Sequence, residues 1–132
     1  MAYQLTWHIE KQALLLTLSQ QYSTQDAAKA NKEISDILEQ STEKISLLID
    51  ATTMERPHNF SEIRSTQKYM DNFYLKSIYV AASDRLVKLS MMVIFNLSRA
   101  ALFVCDDFDK ADYMLRKHLE NTTRIPHTLA DD

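Results

Sequence analysis

Apolar and polar side chains alternate at the start of the chain. Tyr3 to Ile9 carries apolar residues at positions 3, 5, 7 and 9, and this period of two predicts a half-buried strand in which Trp7 is a packing residue. A turn at residues 10–12 and a second apolar run at residues 13–18 predict a hairpin. Behind a cap at Ser23 or Thr24, apolar residues recur at helical spacing and predict a helix to about Gln40.

The middle of the chain carries a continuous apolar run at residues 44–51, KISLLIDA. A run without polar alternation is typical of a central strand covered on both faces. Asn59 with Glu62 three residues later forms a capping-box pattern, which predicts a second helix that carries Phe60, Ile63, Met70 and Phe73.

Two further strands alternate with helices toward the end of the chain. Residues 77–82 and residues 101–105 are short buried runs. Asp84 opens a third predicted helix to about Arg99, and Asp107 caps a final helix with Ala111, Met114, Leu115 and Leu119 on its buried face.

The order β-β-α-β-α-β-α-β-α predicts one α/β domain over residues 1–120. Its sheet is expected to be mixed and mostly parallel, with about five strands and four helices and right-handed crossovers. Residues 121–132 lack periodicity and contain Pro126, so they are expected to form a loosely ordered tail.

Composition excludes several classes of function. The chain contains no glycine, which rules out a phosphate-binding P-loop, a dinucleotide fingerprint and a nucleophile elbow. A net charge of −3 without a basic stripe gives no reason to expect nucleic acid. The most apolar stretch is interrupted by Lys88, Asn96 and Arg99 and is a poor membrane span. A single cysteine, Cys105, and no signal peptide favour a reducing, cytoplasmic location.

Four stretches carry a resemblance to a known family: YQLTWHIEKQALLLTLS, ISLLIDATTM, IYVAASDRLVKL and FVCDDFDKADYML. Together with the element order, they resemble the SpoIIAA-like branch of the STAS/anti-sigma-factor-antagonist superfamily over residues 3 to about 120. The resemblance implies a bacterial-type regulator without enzymatic activity that acts by contacting another regulatory protein.

In phospho-regulated members of that family, the loop after the third strand leads to a serine that a partner kinase phosphorylates. The corresponding residues here, 56–61, contain no Ser-Ser pair and no glycine. We therefore predict that Ser61 is not a phosphorylation switch. The loop is still predicted to be a recognition surface, formed by Asp50, Thr52, Thr53, Glu55, Arg56, His58, Asn59 and Ser61.

Chemical roles for single residues compete with structural ones. Asp50 could act as a general base, but no partner stands near it in sequence, so a role in accepting hydrogen bonds from loop amides is favoured. His58 could bind an anion with the amides of the next helix, although a solvated histidine is favoured. The four histidines and Cys105 show no metal-ligand spacing, and neither a metal nor a cofactor is expected. Cys105 is expected to be buried and unreactive.

The third helix has more apolar residues than one buried face needs. We expect Leu86, Leu89, Val93 and Leu97 to cover the sheet, which leaves a surplus patch of Val87, Met91, Met92, Ile94 and Phe95. This patch is interpreted first as a homodimer contact. The alternatives are a cavity for a small apolar or lipid-like ligand, and a thicker core.

Overall fold

The structure is a computed structural model that describes residues 2–56, 60–67, 72–95 and 100–131, with side chains described in all of these ranges except at residue 60 and beyond residue 120. In these ranges the elements follow the predicted order. They are β1 (Tyr3–Ile9), β2 (Ala13–Gln20), α1 (Thr24–Glu39), β3 (Ile45–Met54), α2 (Phe60–Ser65), β4 (Leu75–Ala81), α3 (Arg85–Phe95), β5 (Ala101–Cys105) and α4 (Phe108–Asp131).

The five strands form one sheet in the order β1-β2-β3-β4-β5. β1 is antiparallel to β2, and every other neighbouring pair is parallel. Two neighbouring parallel strands can be joined only by a crossover connection. The three crossovers here contain α1, α2 and α3. The predicted mixed, mostly parallel sheet is therefore confirmed.

β3 occupies the centre of the sheet, as its apolar run predicts. Residues 45–49 are each exposed by 2% or less. Successive residues of a strand point to opposite faces, so Leu47 and Ile49 join a core beneath α1, α2 and α3, whereas Leu48 joins a second core beneath α4 with Tyr79. A strand with helices on both faces has no solvent-facing side, which explains the absence of polar alternation.

The hairpin and the end of β2 place non-glycine residues in the left-handed region of the backbone. Lys11 has a φ of 62° and Gln20 a φ of 48°. The hairpin turn is closed by a hydrogen bond from the Gln12 amide to the Ile9 carbonyl at 2.9 Å. Left-handed backbone costs an L-residue roughly 1–2 kcal/mol, and a chain without glycine cannot avoid this cost by sequence choice.

Three of the helices, α1, α3 and α4, start at the predicted caps. At α1, Ser23 and Asp26 form a capping box, in which the Ser23 hydroxyl accepts from the Asp26 amide at 3.1 Å. At α4, Asp107 accepts a hydrogen bond from the Lys110 amide at 2.8 Å. Asp84 accepts from the first amides of α3, and each of these bonds satisfies a donor that the helix itself leaves unpaired.

The predicted extent of α2 was wrong. The helix ends at Ser65, because the Thr66 hydroxyl donates to the Ile63 carbonyl at 2.7 Å and the Gln67 side chain donates to the same carbonyl at 3.3 Å. Phe73 therefore does not lie on this helix. It stands in the turn before β4 and is 72% exposed. Met70 lies outside the described residues.

The backbone of α4 is helical to Asp131. The apolar periodicity predicted a helix only to about residue 120, so the helix is longer than expected. A loosely ordered tail at residues 121–132 stays a prediction.

Candidate functional site

The carboxyl ends of β2 to β5 lie along one side of the sheet, because these strands are parallel. We call this side the carboxyl edge. In open α/β sheets, ligands bind outside the carboxyl ends of the strands. The predicted recognition surface falls here, in the last residues of β3 and the segment that follows. The segments after β4 and β5 join it through hydrogen bonds.

Asp50 was predicted to end the strand and Thr52 and Thr53 to stand in the loop after it, but all three lie within β3, which runs to Met54. The strand continues because β2 runs to Gln20 and pairs with it there, with Ser19 opposite Thr53. Between the Thr17–Asp50 and Ser19–Thr53 pairs, β3 uses one residue more than β2, which is a β-bulge. One Asp50 carboxylate oxygen accepts from the Thr52 amide at 3.0 Å and from the Thr52 hydroxyl at 2.6 Å. The carboxylate thus makes the local structural contacts that were favoured over a general-base role.

Arg56 is held against the start of α3. Its Nε and Nη2 atoms donate to the two carboxylate oxygens of Asp84 at 3.4 and 3.1 Å. The same carboxylate accepts from the amides of Leu86 and Val87 at 2.8 and 3.2 Å. The bond from Arg56, followed by these amide bonds, holds the pKa of Asp84 below its usual range.

A second ion pair joins Lys88 of α3 to Asp106, which follows β5. Hydrogen bonding and charge from Lys88 lower the pKa of Asp106. The neighbouring Cys105 is buried, and burial, together with the negative charges of Asp106 and Asp107, raises the pKa of its thiol. The thiolate is disfavoured, in agreement with the expected buried and unreactive cysteine.

The rest of the predicted surface is only partly described. Glu55 is exposed directly after β3, and Ser61 is exposed as the second residue of α2. His58 and Asn59 lie outside the described residues, so capping by Asn59 and anion binding by His58 stay predictions.

The surface patch predicted for α3 was wrong for four of its five residues. Val87, Met91, Ile94 and Phe95 are exposed by 1% or less and belong to the core, and only Met92 of the five is open to solvent. Positions 87, 91, 94 and 95 form one helical stripe, and it is this stripe that packs on the sheet. The residues expected to cover the sheet instead face outward. We call the exposed set Leu86, Leu89, Met92 and Val93 the outer α3 face; Leu97 lies outside the described residues.

Two polar contacts that the sequence did not predict fasten α4 to the sheet. His8 Nε2 of β1 lies 2.6 Å from Asp112 Oδ1, which also accepts from Arg116 Nε at 2.9 Å. The Tyr79 hydroxyl of β4 lies 2.6 Å from Nδ1 of His118. His118 stands seven residues after Ala111, two helical turns along the same buried face of α4. This spacing could have predicted from the sequence that His118 faces the sheet.

Burial acts on both contacts. It raises the pKa of Tyr79. At Asp112 burial also favours the neutral acid, but the hydrogen bonds from His8 and Arg116 outweigh it and the pKa of Asp112 is lowered.

Within the described ranges, no three His, Cys, Asp or Glu side chains come together as metal ligands would. The helices in the same part of the chain also lack the combination of length and apolar character that a membrane span requires.

The five-stranded mixed sheet, with three crossover helices on one face and α4 on the other, defines a SpoIIAA-like, STAS-type fold. The chain is similar to a solved structure of an uncharacterized protein of the DUF3478 family from Shewanella loihica PV-4, described with a SpoIIAA-like fold. The TM-score is 0.61 at 14% sequence identity, over 86% of this chain and 92% of that one. No protein-family model and no curated protein matches the chain significantly. The similarity establishes the fold.

Proposed function

We propose that the protein is a non-enzymatic regulatory or protein-interaction module of STAS-like type, which acts as a homodimer in the cytoplasm and without a phospho-serine switch. The observation that carries this proposal is the outer α3 face, where four neighbouring apolar side chains are each between 42% and 48% exposed. Large apolar patches on a protein surface mark sites of association.

The surroundings of the outer α3 face support an interface. The Arg56–Asp84 and Lys88–Asp106 ion pairs lie at the amino-terminal end of the same helix. An apolar centre with a charged rim is the usual anatomy of a protein–protein contact. The ion pairs at the carboxyl edge then form the rim around the outer α3 face, so the predicted recognition surface and the outer α3 face are parts of one interface.

The titratable groups at the carboxyl edge also favour a role without catalysis. A general base works best with a pKa near the pH at which it operates. Asp84 and Asp106 have lowered pKa values, whereas that of the Cys105 thiol is raised. These shifts keep the carboxylates charged and the thiol neutral, which suits ion pairing better than proton transfer. The free thiol of Cys105 is in keeping with a reducing compartment.

A two-fold axis through the outer α3 face would bring the same apolar residues of two copies together, so that no second complementary surface is needed. Each Å² removed from water contributes about 25 cal/mol. The test is the double variant Leu89→Glu with Met92→Lys, because both side chains are half exposed and outside the core. Phe95 is unsuitable, since at 1% exposure a charge there would unfold the protein.

We expect sedimentation velocity to show a dimer for the parent protein and a folded monomer for the double variant, with folding checked by circular dichroism. Gln25→Glu adds a charge at an exposed position of α1 and should leave the dimer intact. A parent that is monomeric at about 100 µM, well above the dissociation constants of ordinary interfaces, contradicts the homodimer.

A second candidate function is the binding or sensing of a small apolar or lipid-like ligand. A groove of about 580 Å³ between β5 and α4, lined in part by Val104, Tyr113 and Met114, favours it. Mass spectrometry of the purified protein under native and denaturing conditions is the test. A bound apolar molecule that is lost on denaturation supports the ligand function, and a dimer without added mass supports the interaction module.

A further inference from the structure

A second groove runs between the β1–β2 hairpin and α1, at the edge of the sheet opposite β5. It consists of two adjoining cavities of about 580 and 370 Å³, which share Trp7 and Ile37 in their linings. Leu5 and Ile37 are only partly buried there. Ligand sites for small molecules commonly occupy 300–1,000 Å³, so the groove has room for one.

Trp7 lines both cavities of this groove. It is the one tryptophan of the chain and was expected to be a packing residue, yet 37% of it is exposed. An indole face open to solvent can take an apolar group in van der Waals contact. It also attracts a cation through the electrons of the ring, more strongly than the ring of Tyr or Phe.

The charged side chains that line the groove are mostly acidic. Glu33 and Asp36 line the smaller cavity, and Glu43 and Lys11 line the larger one. Three carboxylates and one ammonium give the lining a net charge of −2. The hydroxyl of the buried Tyr3 donates a hydrogen bond to Glu33 Oε2 at 3.1 Å, which restrains the position of that carboxylate in the lining.

We propose that the Trp7 groove binds an amphipathic organic cation, a small molecule with an apolar body and one ammonium or guanidinium group. The apolar body lies on Trp7 and Ile37, and the cation lies toward Glu33 and Asp36. Desolvated apolar surface supplies affinity. The carboxylates and the indole face favour a cation over a neutral molecule of the same shape, and the carboxylates repel an anion. The site lies apart from the outer α3 face, and this inference does not depend on the proposed function.

The experiment uses the fluorescence of Trp7, which reports on the groove alone because no other tryptophan is present. The full chain is titrated with octylguanidinium, with its neutral isostere octylurea, and with octanoate, all below their micelle-forming concentrations. We expect a saturable change in emission with octylguanidinium. We expect octylurea to bind about tenfold more weakly, the factor that corresponds to 1.4 kcal/mol, and octanoate not to bind.

Charge variants locate the cation. Glu33→Gln combined with Asp36→Asn should weaken octylguanidinium binding by about threefold to tenfold, the size expected for partly exposed ion pairs. Glu39→Gln removes a carboxylate from the same helix at a position that does not line the groove and should bind like the parent. Trp7→Leu, checked for folding by circular dichroism and titrated by calorimetry, should lose most of the affinity, and Trp7→Phe should keep part of it.

Four results would each overturn the proposal. The first is equal binding of octylguanidinium and octylurea, which would mean an apolar groove without selectivity for charge. The second is an equal loss of affinity in Glu39→Gln and in the groove variant, which would mean a diffuse electrostatic effect. The third is no saturable response to octylguanidinium, whether or not an arginine-containing peptide binds; binding of the peptide alone would make the groove a protein-docking surface.

The fourth is unchanged affinity in a folded Trp7→Leu variant, which would place the cation elsewhere on the protein.

Discussion

Leu48 offers a direct test of the two-core arrangement. Its side chain is fully buried on the α4 face of β3, in one cluster with Ala13, Tyr79 and Leu115. Leu48→Ala removes three carbon atoms from the middle of this cluster without adding a polar group. The change therefore measures how well α4 covers the sheet.

The cost can be worked out from this environment. Burial of each methylene contributes about 0.8 kcal/mol, so the lost transfer free energy is about 2.4 kcal/mol. A cavity term adds to it, because measured Leu→Ala changes in cores reach about 5 kcal/mol where the site cannot collapse. Ala13, Ala81 and Ala111 belong to the same cluster and have no side-chain atoms beyond Cβ that could move into the gap. We expect a total loss of about 3–4 kcal/mol in the free energy of unfolding.

Urea unfolding followed by circular dichroism measures this loss. With a slope of about 1–3 kcal/mol per molar urea, this loss should lower the midpoint by about 1–4 M. Leu89→Ala is the matched control, because Leu89 is 48% exposed; measured at about 1 µM to limit association, it should cost below about 1 kcal/mol. A loss below about 1 kcal/mol at Leu48 would refute a β3 strand covered on both faces.

Three further predictions concern the backbone, an ion pair and the helix after β3. Lys11→Gly should raise the free energy of unfolding by about 0.5–1 kcal/mol, because relief of left-handed strain exceeds the entropic cost of glycine; a lower urea midpoint would contradict this. Asp112 has a lowered pKa in the folded state, so its contribution is complete above its unfolded pKa and is lost as pH falls through the folded value. Asp112→Asn should therefore lower stability at pH 7 and lessen its decline in acid, and an unchanged acid dependence would argue against the contact with His8. Ser61 should carry no stoichiometric phosphate when the protein is isolated from its native source and examined by phosphopeptide mass spectrometry; full occupancy would restore the phospho-switch.

The strands and caps could be predicted because their signals are local. The alternation in β1 and the continuous apolar run in β3 follow from which faces the sheet covers, and Ser23, Asp84 and Asp107 each cap a helix within three residues. The end of β3 could not be predicted in this way. Thr53 and Met54 are strand residues only because β2 continues beside them, and no pattern within β3 itself records that pairing.

The face of α3 that packs on the sheet could not be predicted for a different reason. Positions 86, 89 and 93 form one apolar stripe at helical spacing, and positions 87, 91, 94 and 95 form another. Periodicity alone cannot choose between two stripes of the same kind. The choice depends on the sheet beneath, where burying the second stripe removes four large side chains, including Phe95, from water. The ion pair of the candidate site could not be predicted from the sequence either. Arg56 and Asp84 are 28 residues apart and meet only because β3 and β4 lie side by side.

The placement of the two proposed surfaces decides how they can work together. The outer α3 face belongs to the helix that connects β4 to β5, whereas Trp7 lies in β1 at the opposite edge of the sheet. Four strand spacings of about 4.8 Å separate the two edges, roughly 19 Å. Sites farther apart than about 10 Å without shared partners behave additively, so dimerisation and cation binding should not perturb each other. If octylguanidinium shifts the dimer dissociation constant, the rigid sheet between the two surfaces must transmit the change, and β3, which spans both cores, is the element to examine first.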